Sequence, residues 1–221
     1  MPDDSTGTTN PNVSDADIRA REQLILGHPQ RMQPLEKTEE AVALAMDYWR
    51  KLRKSITGED VQPGPVDKIP SIHFTMLRCP ELWERITALS VQLSVRGQLS
   101  VRERELVILR TGWLCQAPFE WGEHVKFGKS LGITSEEIER ITLGSAAPGW
   151  DEHESAMLRA VEELHTRQMI SDATWEVLSR RLSETQLFEL TVLVGQFTTV
   201  AYWQNSLRIP LGEGNIGLAA R

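Results

Sequence analysis

The stretch LSVRERELVILRTGWLCQAPFEWGEHVKFGKSLGITSEEI, Leu99–Ile138, decides the fold. Ser100 with Glu103 forms a capping box, in which each side chain satisfies a backbone N–H that the first helical turn leaves orphaned. It opens a helix that runs through roughly Leu114. Pro118 suits the first turn of a second helix, because the N–H it lacks is one that a helix start does not use. That helix runs to Leu131, where Gly132 can end it in the left-handed conformation. Thr134 with Glu137 then opens a third helix by the same device. Three helix starts follow one another here with no strand pattern between them.

The same punctuation extends in both directions. Upstream, Glu81–Arg96 places Leu82, Ile86, Leu89 and Leu93 at helical spacing, and Glu36–Lys54 does so with Val42, Met46 and Trp49. A shorter helix is expected over Ala16–Leu26. Downstream, His153–Arg167 and Asp172–Leu182 read as helices, and Ser183 with Gln186 caps a last one. No segment alternates with period two for long enough to be a strand, so the fold class is all-α. The composition of residues 1–14 predicts a disordered tail. Residues 15–70 form a helical arm that ends in the loop Ser55–Pro70, broken by Gly58, Pro63, Gly64 and Pro65. The main domain spans 71–215, and 216–221 are expected as a C-terminal tail.

A 221-residue chain with 40% hydrophobic residues can bury a sizeable core. Its formal net charge of −7, with Lys and Arg scattered among acids, excludes a basic stripe for nucleic acid. The longest apolar run, Leu187–Trp203, contains Glu189 and Gln196 and is short for a membrane span, so it reads as a core helix. The N-terminus lacks a signal-peptide pattern, and cytoplasmic residence is expected. Cys79 and Cys115 are too few and too far apart for a disulfide framework or a dithiol motif.

Three residues stand out as chemically capable. Glu105 directly precedes the apolar run Leu106–Leu109, and Arg110 follows it. A carboxylate in such surroundings must be paired or have its pKa raised, so Glu105 is either a proton donor or a structural partner of an Arg. Glu120 and His124, four residues apart, share a helix face. A carboxylate beside an imidazole fixes its tautomer and raises its basicity; the bland alternative is a helix-stabilising pair. Two ligands of a metal are present in that pair, and Gln186, Glu189 and Gln196 could approach, but spacing supplies no third ligand and no metal is expected. Nucleotide-binding loops and a Gly-x-Ser-x-Gly elbow are missing from the sequence.

Leu99–Ile138, together with LFELTVLVGQFTTVAYWQNSLRIPLG (Leu187–Gly212), closely resembles the carboxymuconolactone decarboxylase family, which includes alkylhydroperoxidase-D-like proteins. The resemblance extends from about Phe74 to Gly214 and implies an alkylhydroperoxidase-D-like helical bundle. The family's peroxidase branch carries a glutamate, a Cys-x-x-Cys pair and a histidine four residues later. Glu105 and His124 match the glutamate and the histidine, whereas the cysteine positions fall on Ala117 and Glu120. Cys115 is two residues early and has no partner. The resemblance therefore implies a non-dithiol branch: a cofactor-independent acid/base enzyme, expected as a carbon–carbon lyase, working on a small carboxylated or lactone-type substrate. Decarboxylation is the named reaction; isomerisation, dehydration and lactone opening use the same groups. In this reading His124 delivers the proton or holds an oxyanion, Glu120 sets its tautomer and Glu105 is a second acid/base. Arg110 anchors a substrate carboxylate or neutralises a buried glutamate, and Trp113, Phe119 and Trp121 wall a pocket or belong to the core. The alternatives are a peroxidase using Cys115 and a non-catalytic assembly protein. A homotrimer or homohexamer is expected, with a surface on Leu187–Trp203 where Gly195 permits close approach.

Overall fold

The computed structural model describes residues 13–60, 65 and 69–221. The expected disordered tail lies outside the described residues except for its last two, and so do Pro63 and Gly64 of the expected loop. The described chain is all-α, as the helix caps imply. Its helices are α1 (Asp15–Leu26), α2 (Glu39–Thr57), α3 (Ser71–Met76), α4 (Pro80–Val95), α5 (Val101–Leu114), α6 (Pro118–Ser130), α7 (Ser135–Leu143), α8 (Glu152–Arg167), α9 (Asp172–Ser179) and α10 (Glu184–Leu207). The capping boxes at Ser100, Thr134 and Ser183 all form as read. Helix α2 starts three residues later than expected, where Thr38 caps it, and ends at the left-handed Gly58.

Helix α5 is the axis of the molecule. It is buried without interruption from Arg104 to Trp113 and packs against α6, α7, α8 and α10. On one side Val107 and Ile108 join Met157, Val161, Leu190 and Leu193. On another, Leu106 and Leu109 join Trp121, Ile138 and Leu158. Each such fully buried side chain contributes about 1.5–3 kcal/mol relative to exposure. Of residues 216–221, expected as a tail, Leu218 and Ala220 are buried in this second cluster, while Ile216 is exposed. Their backbone also takes up polar groups, because Trp121 donates its indole N–H to the Ala220 carbonyl.

A third cluster joins the arm to the bundle through Ala45, Tyr48, Phe74 and Trp83. The inward face of α2 is centred on Ala41, Ala45 and Tyr48, with Val42, Met46 and Trp49 at its half-buried margin. In α4 the expected register is only partly met. Trp83, Val91 and Leu93 turn inward, while Leu82 and Leu89 remain exposed because nothing in the described chain covers them.

Arg110 is fully buried and its partner is Glu162 on α8, 2.8 Å away. Its guanidinium also donates to the carbonyls of Ile141 and Thr142, which ties α5, α7 and α8 together. Glu162 further accepts from the backbone N–H and hydroxyl of Ser145. Gly144 makes this possible: it has φ +95°, and a Cβ there would lie 2.5 Å from both Arg110 Nη2 and Glu162 Oε1. Removing one member of a buried pair strands the other charge. Glu162→Ala should therefore lose about 3–5 kcal/mol in urea unfolding, and the joint replacement of Arg110 by Met and Glu162 by Leu should lose less. Equal losses would contradict the pairing.

Candidate functional site

Glu105 leaves α5 on the side that faces α6, and the residue it meets there is His124. The ring Nδ1 lies 2.9 Å from Glu105 Oε2, and the other ring nitrogen, Nε2, lies 3.3 Å from Glu120 Oε1. Both ring nitrogens of His124 are thus held between carboxylates. Glu120 has its second oxygen bonded by Gln204 of α10, whose amide donates to Oε2 at 2.7 Å. The three residues identified from the sequence come together, and a fourth, Gln204, completes the cluster.

The two carboxylates occupy different surroundings. Glu105 is 3% exposed and sits behind the imidazole. Glu120 and His124 line a cavity of about 300 Å³ between α3, α4, α6 and α10, and Glu105 does not line it. Burial works against a charged ring, but the charge of Glu105, the hydrogen bond to it and the nearby Glu120 outweigh that, raising the His124 pKa to about 10. The ring is therefore an imidazolium at neutral pH, with an N–H at each nitrogen.

The turn that sets Glu120 at this place is tight. Gln116 has φ 47°, in the left-handed region, between the end of α5 and Ala117, which precedes α6. Its carbonyl accepts from Arg21 of α1, and the preceding carbonyl, of Cys115, accepts from Asn205 of α10. The first turn of α6 is thereby fixed from two sides. Cys115 itself is half-buried, and burial pushes its thiol up to about 11, against a lowering by Thr198 and with a further push from Glu120.

The other residues singled out from the sequence lie elsewhere. Arg110 does not reach the cavity, being enclosed with Glu162. Trp113 and Trp121 pack on each other with ring centroids 4.9 Å apart, inside the core. Phe119 lines a neighbouring cavity of about 720 Å³ that lies along the arm. Glu189 accepts from the N–H groups of Gln98 and Leu99, and Gln196 donates to Ser90 Oγ. Gln186 caps the start of α10 and donates to the Gln98 carbonyl.

What the sequence did not disclose is the far wall: His73 from α3, Trp83 from α4, and Phe197, Trp203 and Gln204 from α10. Gln204 opens the polar run Gln204–Ser206 at the C-terminal end of α10, which gave no signal of a buried site. His73 carried none. It is buried against Tyr48, Trp49 and Trp83, and burial pushes its pKa down to about 4, so the ring is neutral.

Comparison with known proteins gives the kinship. Residues 80–163 match the family model described as the carboxymuconolactone decarboxylase family. That segment belongs to this family. It carries Glu105, Glu120 and His124. No curated protein sequence matches the chain. Among solved structures, the chain resembles an alkylhydroperoxidase AhpD core, a peroxidase-related protein from Ralstonia eutropha JMP134, with TM-score 0.67 and 14% identity over 86% of this chain and 99% of that one. It also resembles a complex of the debrominase Bmp8 with 2,3,4-tribromopyrrole, at TM-score 0.62 and 11% identity over 85% and 94%. A protein of unknown function from Agrobacterium tumefaciens matches at TM-score 0.57 and 23% identity, over 62% and 94%. At these identities the likeness is one of fold. The segment departs from the family's peroxidase branch in having Ala117 and Glu120 at the dithiol positions.

The raised His124 pKa makes stability depend on pH with a definite sign. A histidine at about 10 when folded and 6.5 when unfolded contributes stability that is complete below 6.5 and lost as pH rises through about 10. Urea midpoints of the wild type should fall from pH 7 to pH 10. In Glu105→Gln, which removes the charge behind the ring, this fall should be much smaller; an identical profile would contradict the assignment.

Proposed function

We propose that this protein is a cofactor-independent acid/base enzyme that moves a proton next to the carbonyl of a small lactone-type substrate. The observation that carries this reading is the placement of Glu120 and His124 together on a cavity wall, with Glu105 behind them. Glu120 is the base that takes a proton from the carbon beside the carbonyl. His124, the acid, shares its Nε2–H with the developing oxyanion; the 3.3 Å contact to Glu120 is the looser of its two and the one that can be shared. Glu105 keeps the ring charged and oriented. The roles of the two glutamates are thus the reverse of those suggested by the sequence.

Decarboxylation of a carboxylated lactone is the reaction that the family name suggests, but the cavity favours an uncharged substrate. No Lys or Arg lines it among the described residues. A substrate carboxylate 4 Å from Glu120 would meet repulsion of about 4 kcal/mol at an effective dielectric of 20, which His124 offsets only in part because Glu105 already pairs with its charge. Isomerisation of an unsaturated lactone needs only that Glu120 return the proton it took to another carbon of the enolate, with no group leaving. A peroxidase reading would need a thiolate, and the environment of Cys115 shifts the thiol in the opposite direction. A non-catalytic role would leave a cavity beside the charged cluster without purpose.

Deuterium incorporation and double-bond migration, followed by NMR over a panel of small unsaturated lactones, tests the reaction. His124→Ala and Glu120→Gln should each lose about 100-fold or more in rate, while Cys115→Ser stays close to wild type. Full activity in His124→Ala would remove the proposal.

The trimer or hexamer expected from the resemblance is proposed to form on α10. Phe188 and Tyr202 are 69% and 63% exposed, and Gly195 between them has open space above it. Sedimentation should give a multiple of 25.0 kDa, and Tyr202→Glu should shift the protein toward monomer. A monomeric wild type would contradict this.

A further inference from the structure

The wall opposite Glu120 is aromatic, uncharged and poorly satisfied. Trp83 and Trp203 cross edge to face with centroids 5.8 Å apart, and Phe197 stands edge-on to His124 at 5.3 Å. Four polar atoms on wall residues are buried without a hydrogen-bond partner: Trp83 Nε1, Trp203 Nε1, His73 Nδ1 and Gln204 Oε1. Such atoms are rare in folded proteins, because each one costs about 1–3 kcal/mol. Here they gather around one cavity, on residues from three different helices.

We infer that this cavity takes an uncharged, planar, unsaturated ring bearing a carbonyl or similar acceptor, lying against the wall that Trp83 and Trp203 form together. The chemistry of the unpartnered atoms selects the ligand. Indole N–H groups only donate, so the ligand must accept. The Gln204 carbonyl only accepts, which admits one donor on the ligand. Neutral His73 can serve either way, depending on its tautomer. Flat aromatic walls favour a flat ring. Charge excludes the remaining classes. An anion would meet a cluster of two carboxylates, Glu105 and Glu120, against the single positive charge of His124, with no Lys or Arg on the wall to add to it. An ammonium would suit the carboxylates and aromatic faces, but it cannot accept from either indole and would leave both stranded. The inference rests on the cavity assigned above as the reaction site, and it adds the ligand's charge and shape.

Benzamide, benzoate and benzamidinium have one shape and three charges. Calorimetric titration of the wild type should show benzamide binding at least about tenfold more tightly than either ion. Trp203→Phe keeps the ring and removes the N–H. It should weaken benzamide about fivefold to tenfold with unchanged circular dichroism; if it fails to fold, Trp83→Phe carries the same test. Tighter or equal binding of benzoate or benzamidinium, no saturable binding of benzamide, or an unchanged affinity in the folded Trp→Phe variants would overturn the inference. Probe selectivity without lactone turnover would remove the reaction and keep the ligand class. Turnover without selectivity would remove the ligand class alone.

Discussion

Enclosure of α5 is the constraint from which the rest follows. A helix buried from Arg104 to Trp113 has no solvent-facing side on which to place a charge. It nevertheless carries Glu105 and Arg110, on different faces. Each must be paired inside the protein, because an isolated buried charge costs far more than a fold of this size can spare. Arg110 finds Glu162 and fixes α7 and α8 around the axis. Glu105 finds His124 and fixes the orientation of α6. The first pair closes the structural half of the bundle, and the second opens the chemical half.

The second pairing differs from the first in one respect. Arg110 is enclosed with Glu162 and does not reach the cavity, whereas His124 has a second nitrogen on the cavity side. A carboxylate behind the ring sustains its charge, and another carboxylate, Glu120, stands beside it on the cavity wall. In the family's peroxidase branch the position of Glu120 belongs to a thiol. The aromatic wall from α4 and α10 completes the surroundings and carries unpaired donors.

Much of this was legible in the sequence, for definite reasons. Capping boxes are local, so the starts of α5, α7 and α10 could be placed from pairs of residues three apart. Glu105 stood out because it borders an unbroken apolar run, and His124 because Glu120 lies one turn before it. Arg110 was left with two readings, and packing against Glu162 separates them. Non-local facts were hidden. Nothing near His73 in the chain signals that Tyr48, Trp49 and Trp83 enclose it, and nothing near Leu218 signals that it fills a core. The exposed Leu82 and Leu89 misled the register of α4, since periodicity marks an apolar face without saying what covers it. The relative roles of Glu105 and Glu120 depend on which one borders the cavity, a property of the assembled helices alone.

His124 is an imidazolium clamped between two carboxylates. Nitrogen-15 NMR of the histidine rings, with His124 assigned by its absence in His124→Gln, reads this directly. At pH 7.5 both ring nitrogens of His124 should show the shifts of protonated imidazolium, with titration only near pH 10. A neutral ring at pH 7.5, with one nitrogen unprotonated, would contradict the account.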